Sequence, residues 1–448
     1  MLSIVEQADF FGKILGEQKI DKTFKYRQIK FLLFQNIDDG VLVYNTFTKQ
    51  LLLLNNEEYA CLNNHSFQYN SATELLIRNW FLVPKNFDEI KCFNQVKFFY
   101  NKLDIEKFIS NYTVLPTTDC NARCFYCCEH GQKRINMSDE TALNVAKFIV
   151  NNHGGKNVAI KWFGGEPLYN ISPINIISNY LKKSNIKYKA NMISNAYLFD
   201  SDYINLAKNT WNLSSVQVTL DGTREIYNKT KAYIYKQVDP FDRVIENIDN
   251  LSRQNINVII RLNMDIFNQE DLYSLVDFLA DKFSNNNYVS VYAKLLFDDT
   301  SDLQRNRTNN ERKEIYKAYM QFDNYIYQKG IYHFQRLNNL LTYGHCSSEN
   351  DHAVTILPTG DLGLCELRTD SDICGNIYDG FTNDVLIKAF KEHQDPVEFC
   401  PSCPIYPNCS RLKKCPYYIR ACEEYERELI IKRIKRYMVY TYEKYKKL

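Results

Sequence analysis

Tyr112-Thr-Val-Leu-Pro-Thr-Thr-Asp-Cys120-Asn-Ala-Arg-Cys124-Phe-Tyr126-Cys127 runs from an extended, apolar-rich segment straight into a loop that carries three thiols. Soft thiolates select iron–sulfur clusters or zinc. Three ligands rather than four is the informative number. A cubane cluster has four irons, so three cysteines leave one iron open to a ligand that is not protein.

Outward from this stretch the chain alternates strand-like and helix-like patterns. Apolar strand runs fall at 113–116, 158–163, 188–194, 216–220, 258–263 and 288–293, with helical periodicity starting near Ser138, Ile174, Asp202, Phe241 and Gln269. Such alternation builds βαβ units on a parallel sheet, and six strands make an incomplete barrel. Reactive groups in barrels gather at C-terminal strand ends, and the polar motifs fall there. The cysteine loop follows the first strand, Gly164-Gly165-Glu166-Pro167 the second, Ser194-Asn195 the third and Asp221-Gly222 the fourth; Arg261 lies on the fifth. The glycine pair is expected to let the backbone approach a ligand closely.

The Cys-x3-Cys-x-aromatic-Cys pattern, with Tyr126 as the aromatic, resembles the signature of radical S-adenosylmethionine (SAM) enzymes. The resemblance implies a [4Fe-4S] cluster on Cys120, Cys124 and Cys127, with SAM chelating the open iron and yielding a 5′-deoxyadenosyl radical. It further implies that Gly164, Gly165 and Glu166 meet the SAM amino group and that Ser194 and Asn195 reach its ribose or carboxylate. Arg261 is a candidate for the carboxylate; a structural ion pair is the competing reading. Thr219-Leu-Asp221-Gly222 resembles a strand-end motif of peptide- and protein-modifying members and makes Asp221 a catalytic candidate. Where the family often continues with His-Asp and Arg, this chain has Tyr227-Asn228 and Lys231.

The 448 residues, 45% hydrophobic and 24% charged with a formal charge of +2, suit a globular chain of two or three domains. They show neither a nucleic-acid footprint nor an acidic tail. The first ten residues lack the basic start and apolar stretch of a secretory signal, and no run approaches about 18 apolar residues. The expectation is a cytoplasmic protein, without nucleic-acid or membrane partners, whose fourteen cysteines are reduced and mostly bind metal.

Residues 1–105 read as a small α+β module: strands at 31–37, 41–45 and 50–54, then helices at 57–62 and 72–81. Val43-Tyr44-Asn45-Thr46 followed by Leu53 to Tyr59 resembles the N-terminal module of peptide-modifying radical SAM enzymes. That implies a holder for the leader of a substrate peptide, by strand addition to the sheet edge; the alternative is an ordinary packing domain. The barrel spans 106–300, and 301–345 is a bridge with a helix at 310–329.

Cysteines return at Cys346, Cys365, Cys400, Cys403, Cys409, Cys415 and Cys422. Seven in this order, over 346–422, resemble the SPASM domain, a radical SAM extension with two auxiliary [4Fe-4S] clusters. The family usually has three residues where Cys409 and Cys415 are separated by five. The resemblance implies a nearer cluster on Cys346, Cys365 and Cys415, and a farther one on Cys400, Cys403, Cys409 and Cys422. Cys374, His352 and Asp351 are candidates for a fourth ligand of the nearer cluster, and a buried thiol on a strand is the competing reading of Cys374. Structural zinc is the alternative metal. Cys61, Cys92 and Cys128 read as incidental thiols. Glu366, directly after Cys365, matches an acidic residue proposed in sulfatase-maturing relatives as a proton acceptor; a solvated Glu is the competing reading. Residues 423–448 form a basic helix whose apolar stripe packs on the body or meets an acidic leader.

The combined expectation is an α/β fold: a partial (β/α)6 TIM-type radical SAM barrel, an N-terminal peptide-recognition-like module and a C-terminal SPASM domain. Its function would be to abstract hydrogen from a residue of a ribosomally made precursor peptide, giving a thioether or carbon–carbon crosslink or an epimerised residue. A reductant such as flavodoxin or ferredoxin would supply electrons. Two alternatives remain: a sulfatase-type maturase making formylglycine, and a non-catalytic iron–sulfur electron-transfer protein.

Overall fold

Strand-by-strand alternation builds the main sheet. In Val158-Ala-Ile-Lys-Trp162, Val158, Ile160 and Trp162 are buried while Ala159 and Lys161 are half-buried, as a pleated strand with two unlike faces requires. The computed structural model describes residues 3–7, 15–63, 69–103, 108–127, 129, 131–235, 237–296, 307–334, 347–367, 372–391, 400–409 and 422–447. Cys128, Cys346 and Cys415 lie outside the described residues.

Sixteen strands are described: β1 (Ser3–Glu6), β2 (Tyr26–Gln28), β3 (Leu32–Ile37), β4 (Gly40–Asn45), β5 (Gln50–Leu54), β6 (Leu82–Pro84), β7 (Asn111–Val114), β8 (Val158–Trp162), β9 (Tyr188–Ser194), β10 (Leu213–Leu220), β11 (Asn257–Met264), β12 (Val289–Leu295), β13 (Ala353–Ile356), β14 (Asp361–Gly363), β15 (Ile373–Asn376) and β16 (Gly380–Phe381). The large sheet has the order β12-β11-β10-β9-β8-β7-β13-β14-β15-β16. From β7 to β12 every pair is parallel, and the intervening helices carry their own caps. Ser138 accepts from the Thr141 amide, Asp200 from Tyr203 and Asp239 from Asp242, the last with Pro240 at the first turn.

The sheet does not stop at six parallel strands. β13 pairs parallel with β7, from Ala353 against Asn111 to Ile356 against Val114. β14, β15 and β16 then follow antiparallel. An open barrel leaves the backbone groups of its first strand unpaired, and β13 satisfies them. A chain segment beyond the bridge is thereby tied to the strand that launches the cysteine loop.

Register places Lys161, Asn191 and Ser215 in one row, Gln217, Ile259 and Ser290 in the next, and Thr219, Arg261 and Tyr292 in a third, all on one face. The Tyr292 hydroxyl donates to Gln217 Oε1 across the intervening strand at 2.9 Å, so this face is the concave one. The opposite face buries Val158, Ile160, Val216, Val218, Val258 and Ile260 in the main core.

The N-terminal module forms an antiparallel sheet, β1-β5-β4-β3, beside the pair β2-β6. Its separate core contains Phe31, Phe47 and Leu52. It also takes in Cys403, Ile405 and Tyr406 from the far end of the chain, and Ile434, Met438 and Tyr442 from helix Glu424–Tyr445. The same helix touches the main core through Leu429. Arg433 and Arg436 on this helix clasp Asp323 of helix Asn309–Gln328, a carboxylate with no solvent exposure. Among the described residues no helix is long and apolar enough to cross a membrane.

Candidate active site

The cysteine loop is held against the Gly164-Gly165-Glu166 turn by backbone contact. Gly165 N donates to Thr117 O at 3.1 Å and Glu166 N to Asp119 O at 2.9 Å. A Cβ on Gly164, which sits at φ +116°, would meet Thr117 O at 2.2 Å, and one on Gly165 would meet Asp119 O at 2.1 Å. The close approach that requires the two glycines is therefore to the cysteine loop itself, where a ligand was expected.

Glu166 is fully buried. Its carboxylate accepts from Ser194 Oγ (2.8 Å), Asn195 N (2.8 Å) and Leu168 N (3.2 Å), stitching the end of β8 to the end of β9. Burial pushes its pKa up to about 7 against these three donors. Asn195 donates in turn to Asn121 Oδ1 at 2.7 Å, and its Nδ2 lies 3.7 Å from Cys120 Sγ. Asn121 is fully buried, and its Nδ2 has no hydrogen-bond partner among the described residues.

On the other side of the loop Asp221, Lys231, Tyr126 and Asn263 form one buried network. Lys231 Nζ lies 3.1 Å from Asp221 Oδ2 and donates to the Tyr126 hydroxyl at 2.8 Å. That hydroxyl donates to Asp221 Oδ2 at 2.7 Å, and Asn263 Nδ2 donates to Asp221 Oδ1 at 3.0 Å. Burial works to discharge Lys231, but Asp221 and the surrounding phenols and thiol outweigh it and hold its pKa well above the ordinary value. Lys231, read from sequence only as a departure from the family's Arg, thus pins the loop to the end of β10. The next residue, Ala232, sits at φ +45°, a left-handed conformation that costs a non-glycine residue about 1 kcal/mol or more.

Arg261 donates through Nε to Asn263 Oδ1 at 2.8 Å. Among the described residues it has no carboxylate partner, so the structural ion pair that competed for it is not found there. Glu366 is not a solvated surface residue. It enters the concave face, where Lys161 of β8 donates at 2.8 Å and Ser347 Oγ at 3.0 Å. Burial favours its neutral form, but Lys161 outweighs burial and leaves the carboxyl below its ordinary pKa.

In kind the three thiols suit the implied cluster, but among the described residues no three Cys, His, Asp or Glu side chains stand close enough together to hold a metal ion. Three thiols belong to one short loop, and burial pushes the Cys120 thiol up to about 12. The Ala122 amide donates to Cys120 Sγ at 3.3 Å; burial raises the Cys124 thiol above its ordinary pKa, with the Lys231 charge opposing it. Cys127 is exposed.

Among the later cysteines, Cys400, Cys403 and Cys409 surround Tyr406 in consecutive tight turns. Cys365 packs instead against the main core. Cys422 begins the approach to the last helix, its thiol donating to Glu423 O at 3.5 Å. Cys374 is buried on β15 with its thiol 3.2 Å from Leu362 O, and His352 stacks on Phe108, its Nδ1 2.8 Å from Phe108 O. The sequence reading passed over Lys161, Asn121 and Asn263. For Lys161 and Asn263 the available signal was a polar residue at an inward position of a strand; Asn121 lies in the cysteine loop, where no such pattern exists.

Fold and site together define a radical SAM domain: residues 114–279 match the model of the Radical SAM superfamily. The chain is similar, at 22% identity over 81% of its length and 80% of the relative's, to a radical SAM cyclopropyl synthase, TigE, of Paramaledivibacter caminithermalis. Among solved structures, AdoMet-bound anSMEcpe superposes with a TM-score of 0.54 at 17% identity, covering 75% of this chain and 99% of that one. Streptococcus suis SuiB bound to S-adenosylmethionine does so with 0.50 at 15% identity, covering 88% and 99%. These two likenesses speak to the fold alone.

Proposed function

We propose that this chain is a maturase of a ribosomally made precursor peptide. Cys120, Cys124 and Cys127 would hold a [4Fe-4S] cluster, and residues 346–422 would form a SPASM domain with two auxiliary clusters on the ligand sets given above. When bound, the cluster with SAM supplies a 5′-deoxyadenosyl radical that takes a hydrogen atom from substrate, and the auxiliary clusters supply a sink for the remaining electron. Glu166, Ser194 and Asn195 shape the SAM cradle, Arg261 faces its carboxylate, and Asp221 with Lys231 and Tyr126 keeps the loop in register. Glu366 accepts the proton lost by the substrate residue, with Lys161 holding it ionised until then.

The observation that carries the reading is the Lys161–Glu366 pair. It brings a carboxylate adjoining Cys365 onto the concave face, one residue before the end of the strand that leads into Gly164-Gly165-Glu166. Further support comes from relatives: SuiB was solved with precursor peptide SuiA, anSMEcpe with a Cp18Cys peptide, and the 22% identical relative is named a cyclopropyl synthase, which favours carbon–carbon bond formation among the products considered.

Anaerobic reconstitution of the wild type and of a Cys120/Cys124/Cys127→Ala variant tests this. About twelve irons per chain, falling by about four in the variant with loss of 5′-deoxyadenosine from SAM, is the expected result. Zinc in the C-terminal region would remove the auxiliary clusters. A well-loaded wild type that never cleaves SAM would leave an electron-transfer protein.

A further inference from the structure

Among the described residues, the cysteine loop keeps one buried side-chain amide without an acceptor. Asn121 follows Cys120 and is fully buried. Its backbone carbonyl accepts from Ile234 N at 2.9 Å and its side-chain oxygen from Asn195 Nδ2 at 2.7 Å. Its Nδ2, with two N–H groups, has no partner there. Of the buried side-chain nitrogens in that condition, Trp162 Nε1 and Arg312 Nε belong to a strand and a helix; only Asn121 Nδ2 belongs to the cysteine loop. A buried amide without an acceptor is rare in a native loop and calls for one.

The orientation of this amide is set by its neighbours. Tyr197 N donates to Asn195 Oδ1 at 3.0 Å, so Asn195 presents its Nδ2 to the loop, where it meets Asn121 Oδ1 and stands 3.7 Å from Cys120 Sγ. Turning the Asn121 amide over would set two donors against each other, so its nitrogen stays where it is. In the thiol form Cys120 Sγ donates to Asn121 Oδ1 at 3.8 Å, and it accepts from the Ala122 amide at 3.3 Å. Metal binding removes the thiol proton, makes the sulfur an acceptor only and leaves Asn121 Oδ1 to Asn195.

We infer that Asn121 is a positioning residue that tunes the iron–sulfur cluster of the Cys120–Cys127 loop. With Asn195 it forms an amide pair whose N–H groups serve sulfur: Asn195 Nδ2 serves Cys120 Sγ, and Asn121 Nδ2 serves a sulfur that the cluster brings. Such hydrogen bonds stabilise the reduced, more negative cluster and raise its reduction potential. The inference rests on the reading that Cys120, Cys124 and Cys127 hold a [4Fe-4S] cluster. It adds a determinant of how easily that cluster is reduced.

A redox titration of the anaerobically reconstituted full chain, followed by electron paramagnetic resonance on the cluster signal that changes when SAM is added, tests it. Asn121→Asp keeps the oxygen that Asn195 needs and loses the N–H pair; Asn121→Leu loses both. In each, the cluster should be about tenfold harder to reduce at a fixed potential, a fall of about 59 mV in the one-electron midpoint, with iron content unchanged in Asn121→Asp. Loss of the loop's iron from both variants, with the C-terminal iron retained, would make Asn121 a structural member of the loop and overturn the inference. So would an unmoved midpoint accompanied by a tenfold rise in the SAM concentration needed to change the signal, which would give the N–H pair to SAM. A wild type with no SAM-responsive signal sinks the cluster reading and this inference together, whereas a responsive signal with an unmoved midpoint in both variants sinks the inference alone.

Discussion

The two cysteine-bearing loops of this molecule are held by opposite means. The Cys120–Cys127 loop is fixed by polar groups: backbone amides against Thr117 and Asp119, the Glu166 carboxylate behind it and the Asp221–Lys231–Tyr126 network beside it. The Cys400–Cys409 loop is fixed by aromatic packing, with Tyr406 stacked at 6.3 Å on Phe31 and edge-on at 5.3 Å to Phe93 of the N-terminal module. Buried polar networks specify one geometry because every alternative leaves a charge or donor unpaired. Aromatic packing stabilises strongly but specifies position less sharply. The first loop belongs to chemistry that needs fixed distances. The second is built into the module whose sequence resembles a peptide holder.

The largest effect is expected where the two regions are braced together. Asp323→Asn leaves Arg433 and Arg436 without their counter-charge in a buried site, and a loss of about 3–5 kcal/mol is expected in chemical denaturation. Two separated transitions in place of one would show that the brace alone couples the regions. Tyr406→Ala removes the aromatic keystone of the second loop and should cost about 3 kcal/mol. It should also lower bound iron while leaving SAM cleavage by the first loop intact; loss of cleavage as well would mean that the two loops are not independent.

Lys231→Met sharpens the comparison from the other side. It should lower 5′-deoxyadenosine formation by about 10–100-fold with the C-terminal iron retained, because it removes the charge that orients the first loop without removing a ligand. The smallest effect concerns His333, whose ring lies 2.8 Å from Ser290 Oγ and whose pKa is lowered by burial. Below the unfolded pKa the unfolded chain binds the extra proton more readily, so stability falls as pH drops through that window. His333→Gln should flatten the slope there, measured as Tm against pH.

Much of this was legible in one dimension. Tyr188–Ser194 and Gln50–Leu54 match their expected bounds, and the helix expected at 310–329 spans Asn309–Gln328. The cause is local: alternating apolar residues and capping side chains act within a few positions. β13 was not legible. Ala353-Val-Thr-Ile356 is short, and what makes it a strand is the free edge of β7, some 240 positions earlier in the chain. Glu366 stood out in sequence as a proton-acceptor candidate by resemblance, with a solvated Glu as the competing reading; its partner Lys161 was not legible there.

By itself the sequence determined the alternation of strands and helices, the three-thiol loop, and the placing of each polar motif at a strand end, because spacing and side-chain chemistry are properties of the chain. Which groups meet was decided only in three dimensions. The glycine pair serves the loop, Lys231 serves Asp221, Glu366 turns inward to Lys161, and β1 covers the edge of β5. Each of these joins residues far apart in sequence through burial and pairing, and burial exists only once the chain has closed on itself.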